Sequence, residues 1–138
     1  NSIIYPKKTQ SEVTKNQIFL PVRYKEELYP ILAIHDRPLL LHFTNRGDRN
    51  CNKLTGPLYK IIINDLEDDK KKLNLVDIEC DTMEQGIKEI MLDYNVNRIP
   101  SIIAVNKSIK MDEYIVKNLN EIKEIDWNEL RKWVESVA

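Results

Sequence analysis

Cysteine is scarce in this sequence: Cys51 and Cys80 are the only two among 138 residues. Two cysteines do not make a disulfide framework. They join no histidine at zinc-ligand spacing, so no metal site is expected. Long apolar runs are missing too. None approaches the roughly 20 residues that a membrane-spanning helix needs, and insertion into a bilayer by this segment is not expected. The formal net charge is −1, which gives no overall pull toward nucleic acid or an anionic membrane. Direct contact with nucleic acid is therefore not expected, and electrostatic recognition has to come from a local patch. No internal repeat is visible, and no cofactor is expected.

What remains is the composition of an ordinary globular protein, 42% hydrophobic and 31% charged. The length fits one domain with a substantial core. Residues 1–16 are polar, carry Pro6-Lys7-Lys8 and show no periodicity, which reads as a tail or linker before a domain spanning 17–138. The chain opens at Asn1 rather than Met. A leader or anchor upstream of Asn1 is an open expectation, and with it a location in an intracellular compartment or organelle lumen.

Gln17 to Val22 is a short apolar run suited to an edge strand, because Pro21 is tolerable only at an edge. Tyr24, Leu28, Ile31 and Leu32 lie at helical spacing, with Pro30 either in a first turn or bending the helix. Leu39 to Phe43 reads as a strand buried on both faces. A second helical pattern, Leu54, Leu58, Ile61, Ile62 and Leu66, runs to about Asp65, and the charged run Glu67 to Lys72 ends it as a solvated helix end and loop. Leu73 to Cys80 is the next strand. Asp81-Thr82 is expected to cap a third helix bearing Met83, Ile87, Ile90, Met91 and Tyr94. Ser101 to Val105 and Met111 to Val116 are strands joined by a turn over Asn106 to Lys110, and Asp126 caps a last helix with Trp127, Leu130, Trp133, Val134 and Val137 on one face.

Between the Leu39–Phe43 strand and the second helix lies Asp48-Arg49-Asn50-Cys51. A strand feeding a helix through a tight loop puts that loop at the carboxyl edge of a sheet, where α/β proteins place their chemistry. The order β-α-β-α-β-α-β-β-α, this loop, and Arg98-Ile99-Pro100 ahead of an apolar strand together resemble the thioredoxin family over roughly Gln17 to Ala138. The resemblance implies an α/β thioredoxin fold, a central mixed sheet of about five strands flanked by about four helices. It also implies a cis bond at Ile99–Pro100. The Ile99 backbone would then face the Asp48–Cys51 loop across the groove that family members use to hold extended peptides.

Thioredoxins carry Cys-x-x-Cys where this chain carries Asp-x-x-Cys. By that resemblance Asp48 stands at the attacking cysteine and Cys51 at the resolving one. Dithiol exchange needs an exposed thiolate and a second sulfur to resolve the mixed disulfide, so a redox-inactive variant is expected, with the enzyme question left open but leaning against. The Asp48 carboxylate reads as a helix N-cap. Thr44 and Gly47 stand where the family usually has aromatic residues. The family's buried acidic residue on the central strand is matched by His42, and its usual lysine neighbour by Asp77, which implies a buried His42–Asp77 pair reversed in charge. Cys80 is expected near the groove as a small apolar filler. Asp48–Cys51 and Leu75-Val76-Asp77-Ile78 are also locally similar to the small thioredoxin-like proteins of the spliceosomal tri-snRNP, which act as structural components. Their glycine-rich region before the last helix and their basic C-terminal extension are not found here.

These readings converge on a non-catalytic protein-interaction or scaffolding module within a larger assembly. Its expected contact surface sets Arg46, Gly47, Asp48, Arg49 and Cys51 against Arg98, Ile99 and Pro100. Arg46, Arg49 and Arg98 would form a positive rim suited to an extended acidic segment of a partner protein. Two other readings stay open: an atypical monothiol oxidoreductase or redox sensor using Cys51, and a spliceosomal ribonucleoprotein subunit.

Overall fold

The structure, a computed structural model, describes residues 16–66, 72–81 and 84–138. The elements run β1 (Ile18–Val22), α1 (Lys25–Leu32), β2 (Leu39–Thr44), α2 (Arg49–Lys60), β3 (Asn74–Glu79), α3 (Gln85–Asp93), β4 (Ser101–Asn106), β5 (Ile109–Tyr114) and α4 (Trp127–Val137). One wide turn, Ile61–Asp65, prolongs α2, the Leu66 N–H reaching the Ile61 carbonyl at 3.1 Å. A short 3₁₀ turn, Leu119–Glu121, lies between β5 and α4. Most of the expected tail, most of the charged run after Leu66, and Thr82 and Met83 lie outside the described residues.

The five strands form one mixed sheet in the order β1-β3-β2-β4-β5. β1, β3 and β2 are parallel, and β4 and β5 return antiparallel. β2 and β3 are buried along their whole length, including the polar His42, Thr44, Asn74, Asp77 and Glu79, as strands at the centre of a sheet covered on both faces are. β1 is an edge, and its pairing with β3 slips between Phe19 and Val22. Pro21 sits in that interval and has no N–H to give a ladder.

Alternation along the strands divides the core in two. Leu40, Leu75, Ile102 and Ala104 pack beneath α2 and α4 with Leu54, Leu58, Leu130 and Val134. Leu41, Phe43, Val76, Ile78 and Ile103 pack on the other face, with Leu28 of α1 and Ile87 and Ile90 of α3. The sheet is thus a middle layer between two helical layers.

Two local expectations need correction and a third is narrowed. α3 begins at Gln85, which leaves Asp81 outside it; Glu84 is the cap, accepting the Ile87 N–H at 3.2 Å. Pro30 lies in the last turn of α1, which removes the first-turn alternative; the helix loses there the bond that a residue-30 N–H would have made. The hairpin turn is two residues, Lys107 and Ser108, with φ of 52° and 69°. Two left-handed residues match the twist of the flanking strands, so β4 and β5 run closer to each other's ends than the turn signal implied.

Candidate functional site

Asp48 ends the tight loop after β2 and caps α2. Its carboxylate accepts the Asn50 N–H at 2.8 Å, and its own N–H is held by the Asn45 carbonyl at 3.1 Å. A carboxylate here satisfies an orphan amide and complements the helix dipole. The carboxylate thus serves as the helix cap through Oδ1.

Across from it, the Ile99–Pro100 peptide bond is cis. A cleft of about 560 Å³ opens between the two loops. Asp48 and Asn50 form one wall, and Asn97, Arg98, Ile99 and Pro100 the other. Val116 and residues 118–120 close the end. Neither the N–H nor the C=O of Ile99 has a hydrogen-bonding partner among the described residues. Of the residues expected at this surface, the cleft gathers Asp48, Arg98, Ile99 and Pro100. Gly47 is exposed beside it, its N–H bound to the Asn45 carboxamide oxygen at 3.0 Å, and Arg49 is exposed without an ion pair among the described residues.

Arg46 does not line the cleft. Its guanidinium lies 3.3 Å from Glu79 Oε1, while Arg23 holds Glu79 Oε2 at 2.8 Å. Glu79 is only 4% exposed, and a buried carboxylate draws whichever cations reach it. This competition turns Arg46 toward the end of β3. The register that does it, Thr44 beside Glu79, follows from the parallel pairing of β2 and β3.

The same pairing sets His42 beside Asp77. His42 Nδ1 and Asp77 Oδ1 are 2.8 Å apart, and the ring is fully buried. The Tyr59 hydroxyl of α2 donates to the other carboxylate oxygen, Oδ2. One carboxylate thus collects two donors beneath the helix, and its charge is met on both oxygens. Burial, followed by the Asp77 carboxylate, raises the Tyr59 phenol above its ordinary range. His42 Nε2 and Thr44 Oγ1 are buried without partners among the described residues. Tyr59 was missed by the sequence reading. It adjoins Leu58 on the buried stripe, and a tyrosine there needs a partner for its hydroxyl.

Both thiols are free and buried, Cys51 at 1% and Cys80 at 2% exposure. Burial raises the Cys51 thiol despite the helix N-terminus beside it, and pushes Cys80 up to about 12. Cys51 packs under the first turn of α2 rather than on the cleft wall. Cys80 belongs to the core on the α1 and α3 side of the sheet, as a small apolar filler, and does not line the cleft. Burial and a raised pKa both lower the thiolate fraction of either cysteine near neutrality.

No family model and no curated relative matches this chain. Solved structures do. It is similar to thioredoxin O2 from Arabidopsis thaliana in its oxidized state, at a TM-score of 0.63 and 15% identity over 87% of this chain and 93% of that one. The germline-specific thioredoxin Deadhead from Drosophila matches at 0.62 and 12%, over 86% and 98%. The long form of spinach chloroplast thioredoxin f matches at 0.61 and 14%, over 91% and 88%. The chain has the thioredoxin fold: a five-stranded mixed sheet with four helices.

Proposed function

We propose that this chain is a redox-inactive thioredoxin-like module that binds a partner protein within a larger assembly, holding an extended segment in the cleft beside Ile99 and Pro100. The observation that carries this reading is the Asp48–Cys51 loop. Its first position is a carboxylate engaged as a helix cap, and its one sulfur is buried with a raised pKa. Thiol–disulfide exchange has neither an exposed thiolate nor a second sulfur to work with. The open N–H and C=O of Ile99 support strand-like pairing with an incoming chain. The redox-sensor reading of Cys51 is weaker, because oxidation follows exposure and thiolate character.

The positive rim is smaller than the sequence implied. Arg98 is exposed on the cleft wall and Arg49 is exposed next to Asp48 outside the lining, while Arg46 serves Glu79. Two arginines still favour an acidic segment, mainly through encounter rate. Two measurements test the reading. Insulin reduction coupled to a thioredoxin reductase should stay at background, and turnover abolished by Cys51→Ser would refute redox inactivity. Binding of an acidic extended peptide should weaken in Arg49→Glu/Arg98→Glu and should hold in Arg46→Ala, with salt reproducing part of the loss. A peptide footprint centred on Trp133 instead would refute the cleft as the contact surface.

A further inference from the structure

We infer that the cleft reads the main chain of its bound segment through side-chain carboxamides, so that the segment is recognised by being extended and polar and not by a side-chain motif. The inference rests on the cleft reading above and specifies what the cleft takes. Four of its lining residues are asparagines: Asn50, Asn97, Asn118 and Asn120. They come from three different parts of the chain, so adjacency in sequence does not explain the grouping.

A carboxamide carries one acceptor and two donors. This is the complement of a peptide unit, which offers one N–H and one C=O, and it discriminates little among side chains. None of the four side chains makes a hydrogen bond to the described residues. Asn97, Asn118 and Asn120 are exposed around the buried Pro100 and Leu119. Backbone geometry accounts for asparagine at position 118, where φ is 55°, a conformation asparagine tolerates. Positions 50, 97 and 120 have no such requirement.

The wall that carries two of them is also fixed. Lys53 of α2 donates to the carbonyls of Leu119 and Ile122, at 2.9 and 2.8 Å. Those bonds tie the segment around residues 118–120 to the helix that also bears Asn50. Groups held on a braced frame lose little freedom on binding. Meanwhile, among the described residues that line the cleft, Arg98 is the one cation and Asp48, on the opposite wall, the one anion. Charge alone therefore gives little orientation inside the cleft, and the carboxamides supply it.

The test uses three synthetic dodecapeptides of Ser, Glu and Gly in unrelated orders with equal charge, and a fourth N-methylated at alternate residues. Binding is measured by titration of the isotope-labelled protein, reading both affinity and the Asn side-chain amide resonances. The three orders should bind within about twofold of one another and shift the Asn97 and Asn120 amides. N-methylation should weaken binding about tenfold or more, since each net hydrogen bond is worth about fivefold. Asn97→Ala/Asn120→Ala should lose a similar factor for all three peptides. Both sites are exposed, so thermal unfolding should not move, and Asn120→Gln should keep most of the affinity. If N-methylation and the alanine pair change nothing while Arg49→Glu/Arg98→Glu weakens binding, the carboxamide inference is wrong and the cleft reading stands. If no peptide shifts any cleft resonance, the cleft reading fails and this inference fails with it.

Discussion

Replacing Asp77 by alanine takes one acceptor away from two donors at once. His42 Nδ1 lies 2.8 Å from it in a fully buried ring, so that donor has no route to water. A buried donor left unsatisfied costs about 1–3 kcal/mol. Tyr59 is half-buried and can turn its hydroxyl to solvent, so it loses only the net worth of the bond, about 1 kcal/mol. The expected loss for Asp77→Ala is then about 2–4 kcal/mol, a large part of the roughly 5–15 kcal/mol that stabilises a domain. His42→Ala leaves the carboxylate with Tyr59 alone and costs a similar amount. The two single losses count the shared His42–Asp77 bond twice. The double variant His42→Ala/Asp77→Ala should therefore be less unstable than the sum by about 1–3 kcal/mol. Tyr59→Phe should cost about 1 kcal/mol in the natural protein and close to nothing once Asp77 is gone. Urea unfolding followed by the fluorescence of Trp127 and Trp133 reads all of these. With a slope of about 2 kcal/mol per molar, a loss of about 2–4 kcal/mol moves the midpoint by about 1–2 M. Losses that add to within about 0.5 kcal/mol would show that the two side chains do not share their stabilisation, and the cluster would not be a unit.

Two further predictions concern the thiols and the glycines. Native protein should react with a thiol reagent far more slowly than denatured protein, since burial raises both thiols. A pKa raised on folding means the folded state holds its proton more tightly. The stabilisation is therefore complete below the unfolded thiol pKa of about 8.5 and is lost as pH climbs toward about 12, the folded value for Cys80; Cys80→Ala should flatten this alkaline loss, and an unchanged pH profile would refute it. Gly56 and Gly86 should respond unequally to alanine. A Cβ at Gly56 in α2 meets nothing within 4 Å beyond its chain neighbours, but Pro57 follows it in the helix and its ring disfavours a Cβ on the helical residue before it, so Gly56→Ala should change stability by less than the about 0.5–1 kcal/mol that helix propensity alone would add. A Cβ at Gly86 would come within 2.8 Å of Lys25 Cβ and 2.9 Å of the capping Glu84 carboxylate, so Gly86→Ala should lose about 1–3 kcal/mol to overpacking. Equal midpoints for the two variants would refute the close approach of α1 and α3.

The fold was legible because its signals are periodic and local. The apolar stretches Leu39–Leu41 of β2 and Leu75-Val76 with Ile78 of β3 marked strands buried on both faces, and all six residues of each are buried, polar ones included. Pro21 marked β1 as an edge strand, and the pairing irregularity falls at that residue. Asp48 and Asp126 announced their helices as caps, and both carboxylates accept amides there. Boundaries were less legible. Glu84 rather than Asp81 caps α3 because the helix starts three residues later than its apolar pattern allows it to, and hydrophobic periodicity does not fix a first turn. The two-residue hairpin turn has no glycine; Lys107 and Ser108 carry left-handed backbone that neither residue type advertises.

The site was legible only where one strand's register decided the contact. His42 and Asp77 occupy matched positions on parallel neighbours, and the resemblance of these two positions to the family's buried acid and its lysine neighbour was enough to pair them. Contacts that depend on competition were not legible. Arg46 sits two residues before Asp48 in sequence, which put it on the expected rim. Yet Glu79, brought alongside Thr44 by the same register, is buried and draws the guanidinium away. A buried carboxylate without cations is costly, whereas a rim arginine gains little from exposure to water, so the carboxylate wins. Tyr59 follows the same logic, since its hydroxyl is claimed by the second oxygen of Asp77. In both cases a buried acid on β3 decides where a side chain from outside the sheet goes. With Arg46 held by Glu79, the polar lining of the cleft among the described residues is Arg98, Asp48 and four asparagine carboxamides, which is why we assign its recognition to hydrogen bonding rather than to charge.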